Sequence, residues 1–203
     1  ILATLSMHAS EVGPAQSAPI IAYKLAATNE PKILNWLEDV VYMIVPSHNP
    51  DGMDMIVNHY NKSKGTKYEG GNLPGVYHKY VGHDNNRDTP LQHMVETQYW
   101  ATLTFKEWFP QAYLDHHHMG SYGGRFYVPP LAPGWIDTNI DPLVWTEQRL
   151  YGGNMADRLE AADMMGIESE TFVDEFMTTT NHMCRRMNIC GMLSESASAK
   201  LAT

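Results

Sequence analysis

The first eleven residues, Ile1-Leu2-Ala3-Thr4-Leu5-Ser6-Met7-His8-Ala9-Ser10-Glu11, join an apolar segment to a histidine–glutamate pair. Residues 1–7 are predicted to form a strand, and apolar side chains at helical spacing predict a helix over 14–27. A second helix is predicted over 31–37, before the continuous apolar run 40–45. Such a run is typical of a strand buried on both faces. Because strand and helix signals alternate, the sequence indicates an α/β fold.

The remaining segments continue this alternation. Residues 47–88 are rich in Gly, Asn, Lys and His and are predicted to form a long irregular loop, a feature that is usually functional in compact domains. The later predictions are a helix over 89–108, a strand over 112–117, a Gly/Pro/Tyr-rich loop over 120–134, a helix over 141–165 and a short strand at 192–193. We expect a mixed, mostly parallel sheet with helices on both faces.

Composition and charge exclude several classes of protein. A chain of 203 residues with 43% hydrophobic residues suits one globular domain, taken here as 1–203. The net charge of -9 argues against a nucleic-acid groove, which needs a basic face. No apolar run approaches the roughly 18 residues of a membrane span. Cys184 and Cys190 are too few for a disulfide framework and predict two packed thiols or one local disulfide.

The first candidate for chemistry is the pair His8 and Glu11, directly after the first strand. Residues three apart share a face where a strand turns into a helix, so both side chains can reach one metal ion. Zinc accepts this mixture of nitrogen and oxygen ligands. A surface pair without a metal is the alternative for this motif alone.

The second candidate is the run Asp115-His116-His117-His118 near the end of a predicted strand. Strand alternation places His116 and His118 on one face and Asp115 and His117 on the other. One or two of the three histidines can therefore be ligands, but not all three.

The two motifs together supply two histidines and one carboxylate, which is a catalytic zinc set with one open position for water. Such a site needs a general base and donors for the charge that develops on the substrate. Arg87 beside Asn86 can hold a carboxylate through parallel hydrogen bonds, although a solvated loop is the alternative. Glu195 follows a predicted strand at the sheet edge where ligands bind, although it could equally be a helix cap.

The order of these motifs resembles the zinc carboxypeptidase family typified by carboxypeptidase A. The resemblance rests on His8-x-x-Glu11, the run Pro46-Ser47-His48-Asn49-Pro50-Asp51-Gly52, Asn86-Arg87, Asp115-His116-His117 and Leu193-Ser194-Glu195. Residues 117–121, 126–130 and 191–198 resemble the larger bacterial-type members more closely. The resemblance spans nearly the whole chain.

The resemblance implies a role for each matching residue. His8, Glu11 and His117 match the ligands of one zinc ion, with His116 and His118 as competing choices. Asn86 and Arg87 match the pair that holds the substrate's C-terminal carboxylate, and Glu195 matches the general base. Asp115 matches no ligand and is expected to orient His117 or a neighbour. Residues 49–52 match a structural turn near the site.

The implied activity is zinc-dependent hydrolysis of a peptide bond next to a free C-terminal carboxylate. One alternative is a related zinc amidohydrolase acting on cell-wall peptides or acylated amino acids. Another is a non-catalytic peptide-binding module on the same fold. The family resemblance also suggests a secreted or periplasmic protein.

Two departures from the family pattern support the binding-module alternative. The region 68–71 lacks the family's second arginine, and the region of its mobile tyrosine holds Phe172 and Phe176. Arg125, Tyr122 or Tyr127 could substitute, with Arg125 taken as a third substrate-binding candidate. Because the chain begins at Ile1 and stops at Thr203, we expect a partial catalytic domain that lacks the family's N-terminal hairpin and final helix.

Overall fold

A six-stranded mixed sheet organises the computed structural model, which describes residues 1–131, 136–171 and 177–198. The strands lie in the order β2-β1-β3-β6-β4-β5. Their bounds are β1 Leu2–Leu5, β2 Met43–Val45, β3 Ala112–Met119, β4 Phe126–Tyr127, β5 Ile167–Glu168 and β6 Cys190–Ala197. Only the β4–β6 pair is antiparallel among the pairs in this described part, so the predicted mixed, mostly parallel sheet is confirmed.

Helices cover both faces of the sheet, as predicted. Their bounds are α1 Val12–Ala26, α2 Pro31–Asp39, α3 Pro50–Ser63, α4 Val95–Thr102, α5 Pro142–Glu160 and α6 Thr180–Arg186. Alternating side chains of β1 divide the core, because successive strand residues point to opposite faces. Leu2 packs with Trp100 of α4 and Cys184 of α6, whereas Ala3 packs with Ala18 of α1.

The second predicted strand is shorter and more exposed than expected. Only Met43–Val45 is extended and paired, and its residues are half-buried. The prediction of burial on both faces is wrong because β2 is the edge strand and pairs only with β1 in the described sheet.

The predicted irregular loop over 47–88 contains a helix that the sequence analysis missed. Asn49 caps α3 by accepting a hydrogen bond from the backbone N–H of Gly52 at 2.9 Å, and Pro50 occupies the first turn. The sequence analysis predicted a loop here because the surface of this helix is largely polar. A short 3₁₀ turn, Asn85–Arg87, also lies within this region.

Three other boundaries differ from their predictions. The helix expected from residue 89 begins at Val95 and continues as a π-helical turn, Leu103–Trp108. The loop expected over 120–134 contains β4, which pairs with β6. The last strand runs over eight residues, so Glu195 lies within β6 rather than after it.

Other predictions concern the long helix, the cysteines and the membrane. Asp141 caps α5 through the backbone N–H of Leu143, as expected, but the helix ends at Glu160 rather than near residue 165.

Cys184 and Cys190 are buried free thiols, so the prediction of packed thiols is right. No helix within the described ranges is both long and apolar enough to cross a membrane. Phe172 and Phe176 lie outside the described residues.

Candidate metal centre

Three segments of the chain bring His8, Glu11 and His117 together. His8 follows β1, Glu11 precedes the first residue of α1, and His117 lies in β3. A ligand atom from each lies within 4.8 Å of the other two. His117 is buried and the other two are largely buried. The structure therefore groups the three residues that the motifs singled out, while their role as metal ligands stays a prediction.

The carboxylate of Glu11 lies between the two imidazole rings. Nδ1 of His8 is 2.8 Å from Oε1 of Glu11, and Nδ1 of His117 is 3.0 Å from Oε2. The backbone N–H of His118 also donates to Oε2, at 3.0 Å. Glu11 is therefore fixed to β3 by two contacts, and both rings turn the same type of nitrogen toward it.

The opposite nitrogen of each ring faces an aspartate. Nε2 of His8 lies 3.0 Å from Oδ1 of Asp84, and Nε2 of His117 lies 2.8 Å from Oδ2 of Asp115. Metal-binding histidines usually make such a contact, which selects the tautomer and the ring orientation. Asp115 was expected to orient a histidine, but Asp84 was missed because it lies 76 positions from His8 in the chain.

Asp115 is itself held from two sides. The hydroxyl of Thr4 in β1 donates to its Oδ1 at 2.9 Å, and the hydroxyl of Thr180 in α6 donates to its Oδ2 at 2.9 Å. Because the carboxylate is fully buried, these contacts offset part of the cost of removing its charge from water. The ring of His117 is therefore oriented by a carboxylate that two hydrogen bonds hold in place.

The backbone that carries His8 is fastened by two asparagine side chains. The carbonyl of Met7 accepts hydrogen bonds from Asn49 at 3.2 Å and from Asn85 at 2.6 Å. Asn49 also donates to the carbonyl of Tyr77 at 3.1 Å. The turn at Asn49 therefore has the structural function that its motif suggested.

The group carries several coupled charges when no metal is bound. Burial acts to lower the pKa of His8, but hydrogen bonds to Asp84 and Glu11 outweigh it and raise the pKa to about 9. Burial acts to raise the pKa of Glu11, but hydrogen bonds with His117 and His8 lower it to about 2. The pKa of His117 is likewise raised, mainly by Asp115 against the effect of burial. A divalent cation could therefore replace the imidazole protons among these carboxylates.

This donor set fits zinc. Two imidazoles and one carboxylate form a common catalytic zinc set, and each imidazole has an orienting carboxylate behind it. His116 and His118 do not join the group. His118 accepts a hydrogen bond from the backbone N–H of Gly13 at 2.9 Å, and Nδ1 of His116 lies 2.5 Å from the hydroxyl of Ser194. The strand alternation predicted from the sequence is what separates them from His117.

Glu195 lies beside His117, because the two residues are register partners on β6 and β3. Glu195 is only 6% exposed, and its Oε2 has no hydrogen-bond partner among the described residues. Burial, aided by the negative charges of Glu11 and Asp115, outweighs the nearby imidazoles and raises the pKa of Glu195 to about 7. A carboxyl with this pKa can accept and release a proton near neutral pH.

Asn86 and Arg87 lie at the edge of the same group. Nδ2 of Asn86 is 3.4 Å from Nε2 of His117, and its Oδ1 accepts the backbone N–H of Thr180 at 3.2 Å. Arg87 is partly exposed, donates to the backbone carbonyl of Asn86 at 2.8 Å and lies 4.0 Å from Asp84. The structure therefore brings the predicted substrate pair to the histidine cluster.

Arg125 and the two tyrosine candidates lie in different surroundings. Arg125 is exposed, and its side chain packs close to Gly166. No hydrogen bond or ion pair joins it to His8, Glu11 or His117 in the part of the chain that the structure describes. Tyr122 is 87% exposed, whereas Tyr127 is buried with its hydroxyl on the carbonyl of Pro130.

Tyr77 is an aromatic residue at the site that the sequence analysis missed. Its ring centroid lies 5.4 Å from that of His8. Burial and the negative charges of Asp84 and Glu11 raise its pKa, so its hydroxyl stays protonated at neutral pH. It lies in the Gly- and Lys-rich segment before Asn86, where no spacing singles it out.

Comparison with known proteins identifies the family of this chain. The zinc carboxypeptidase family model matches residues 1–121. No curated protein is significantly similar in sequence. A metallo-carboxypeptidase from Burkholderia cenocepacia shares the fold with a TM-score of 0.67 at 14% identity, covering 99% of this chain and 48% of that chain.

Two further solved structures have the same fold at low identity. A metallo-carboxypeptidase from Pseudomonas aeruginosa, in complex with (2-guanidinoethylmercapto)succinic acid, has a TM-score of 0.58 at 14% identity, covering 97% of this chain and 48% of that chain. Thrombin activatable fibrinolysis inhibitor has a TM-score of 0.62 at 14% identity, covering 96% and 55%. The chain thus spans about half the length of these proteins. Because the family model matches more than half of the sequence, the chain belongs to the zinc carboxypeptidase family.

Proposed function

We propose that residues 1–203 form part of a catalytic domain that hydrolyses the peptide bond next to a substrate's free C-terminal carboxylate, using one zinc ion. The observation that carries the proposal is the shared orientation of His8 and His117. In each ring, Nδ1 faces the carboxylate of Glu11 and Nε2 lies within hydrogen-bond distance of an aspartate. Two orienting carboxylates behind two imidazoles are expected of a metal site and are not needed for a surface cluster.

His8, Glu11 and His117 would hold the zinc ion. When bound, zinc acts as a Lewis acid that polarises the scissile carbonyl and makes a water molecule more acidic. Asp84 and Asp115 keep the two rings in place, so that the donor atoms need little rearrangement. The low pKa of Glu11 keeps its carboxylate ionised across the neutral range.

Glu195 is the general base in this proposal. Its carboxylate accepts a proton from the attacking water as the water oxygen bonds to the carbonyl carbon. The protonated Glu195 then gives that proton to the amine nitrogen as the carbon–nitrogen bond breaks, so one water is consumed and the base is regenerated. The pKa of Glu195 is about 7 without a metal, and a nearby dication would favour the carboxylate form that the first step needs.

Arg87 and Asn86 would bind the carboxylate of the substrate's last residue. The guanidinium of Arg87 is partly exposed at the rim of the cluster, where an anion could approach it. Asn86 has an amide group within 3.4 Å of His117 and could add a donor close to the metal. Their position beside the proposed ligands would direct cleavage to a chain end rather than to a bond within a chain.

The test compares two peptides of identical sequence, one with a free C-terminal carboxylate and one amidated. Zinc-loaded protein should release the last residue much faster from the free peptide than from the amidated one, and a chelator should abolish this release. Equal cleavage of both peptides would favour the broader amidohydrolase. Tight zinc binding without cleavage of either peptide would favour the non-catalytic module.

A further inference from the structure

A second cluster of possible metal ligands lies outside the proposed catalytic site. Nε2 of His83 is 3.1 Å from Oδ1 of Asp88, and Nδ1 of His93 is 3.9 Å from the same oxygen. One ligand atom from each residue lies within 4.8 Å of the other two. The two imidazole centroids are 6.1 Å apart, and the ring planes are tilted by 58° to one another.

The separations are close to those of a zinc site. Ligand atoms in a tetrahedral zinc site with nitrogen and oxygen donors lie roughly 3.3–3.5 Å apart. The cluster of His83, Asp88 and His93 has one separation slightly shorter and one slightly longer than this. The His93 side chain is 60% exposed, so its ring has room to rotate closer to Oδ1 when an ion binds.

Asp88 is fixed before any ion arrives. Its side chain is fully buried, its Oδ1 accepts the backbone N–H of His93 at 3.2 Å, and its Oδ2 accepts that of Met94 at 2.9 Å. Although burial acts to raise the pKa of Asp88, these hydrogen bonds and one from Thr97 lower it. The carboxylate is thus ionised and oriented, as metal-ligating carboxylates usually are.

We propose that His83, Asp88 and His93 bind a second divalent transition-metal ion of the zinc class. The side chains of His83 and His93 are 34% and 60% exposed, so an ion can enter from solvent and keep water ligands. Binding uses His83 as the tautomer with its proton on Nδ1, and any proton on Nε2 moves to Nδ1 or to solvent. A set of two imidazoles and one carboxylate disfavours Mg²⁺ and Ca²⁺, which prefer oxygen ligands.

The position of this cluster indicates what the second ion does. Asp88 immediately follows the 3₁₀ turn Asn85–Arg87, and its two histidine partners lie five residues before and after it. The ring of His78 also donates to the backbone carbonyl of His83 at 2.6 Å. An ion here would tie the two ends of segment 83–93 and restrict the turn that carries Arg87. This consequence for substrate binding rests on the proposed function, whereas the metal site does not.

The test measures metal stoichiometry after equilibration of the purified chain with Zn²⁺ and removal of unbound metal. The wild-type chain should hold two ions, and His117→Ala and the double variant His83→Ala/His93→Ala should each hold one. His59→Ala replaces a histidine outside both clusters and should still hold two. One ion in the wild type, unchanged in the double variant, overturns the proposal even if the catalytic zinc is present.

A second measurement keeps the proposal testable if the double variant does not fold. His93→Ala removes an exposed ring while the backbone N–H that donates to Asp88 stays in place. In a His117→Ala background, added Zn²⁺ should raise the thermal unfolding midpoint, and Mg²⁺ should not. His93→Ala should weaken this Zn²⁺ affinity at least about tenfold, since loss of even an outer partner typically costs that much. Unchanged affinity would refute the site, and the His117→Ala background keeps the result independent of catalysis.

Discussion

Nδ1 of His117 lies 3.0 Å from Oε2 of Glu11, although the two residues are 106 positions apart in the chain. The same oxygen accepts the backbone N–H of His118, so the start of α1 is bound to β3 at this point. The close packing of α1 against β3 is reflected in Gly13, where a Cβ would lie 2.0 Å from Nε2 of His118. The donor atoms are therefore arranged by the sheet and its first helix before a metal binds.

Replacing a proposed ligand should remove the catalytic zinc. His8→Ala deletes one of three donors and leaves Glu11 and Asp84 with an unbalanced negative charge, so we expect loss of one ion per chain. Elemental analysis measures this directly, and His59→Ala serves as the matched histidine control. Retention of full zinc by His8→Ala would rule out its role as a ligand.

The aspartate behind His8 should affect metal affinity without touching the metal. Asp84→Asn keeps the shape of the side chain but removes the charge that orients Nε2 of His8. We expect zinc affinity to fall about 10–100-fold, as for other outer partners. Competition with a chromophoric chelator gives the affinity, and Asp157→Asn on the exposed face of α5 is the control. Equal affinities in both variants would show that Asp84 has no orienting role.

Removing the proposed base should separate chemistry from metal binding. Glu195→Gln preserves size but cannot accept the water proton, so kcat should fall about 10²–10⁴-fold. Zinc content should not change, because Glu195 is not among the three ligands. Turnover and elemental analysis of the same preparation test both points together. A loss of zinc in parallel with activity would assign Glu195 a role in the metal site instead.

The pH dependence of kcat/KM should report the ionisation of Glu195. The group is active as a carboxylate, so activity should rise with pH through its pKa, which is about 7 in the metal-free protein. A bound dication favours the ionised form and should move this acidic limb below pH 7. Measurements from pH 4.5 to 8.5 on protein of verified zinc content define the limb. The acidic limb should be absent from the pH profile of the residual activity of Glu195→Gln.

The proposed carboxylate anchor should distinguish substrates. Arg87→Ala removes charge-assisted hydrogen bonds of about 1.5–3 kcal/mol, which corresponds to roughly 10–100-fold in kcat/KM for a free C-terminus. Hydrolysis of any amidated peptide should change little, because that substrate has no terminal anion. Arg149→Ala on α5 is the matched control. Equal losses on both peptides would indicate a general disturbance of the nearby turn.

The zinc-class ion proposed at His83, Asp88 and His93 adds one expectation for the Arg87 variant. Arg87 is next to Asp88 in the chain but is not one of the three proposed ligands. Arg87→Ala should therefore leave the second ion bound while it weakens substrate binding. Elemental analysis of Arg87→Ala therefore separates the two effects. Loss of the second ion in this variant would mean that Arg87→Ala disturbs the second metal site, so that its effect on substrate binding is not separate from its effect on the metal.

Local sequence signals predicted some elements well and others poorly. Apolar strand runs identified β1 and β3, and the Asp141-Pro142 cap identified the start of α5. The same signals missed α3 because its surface is polar. They missed β4 because two residues are too few for a pattern, and its strand character comes from pairing with β6.

Residue types and their spacing determined which side chains could bind a metal, since His-x-x-Glu and strand alternation are local properties of the chain. They also separated His117 from His116 and His118, because neighbouring strand residues point to opposite faces. Only the tertiary structure decided that Asp84 lies behind His8 and that Glu195 lies beside His117. These contacts join distant segments through sheet register and loop packing, and no short-range pattern in the chain encodes such distances.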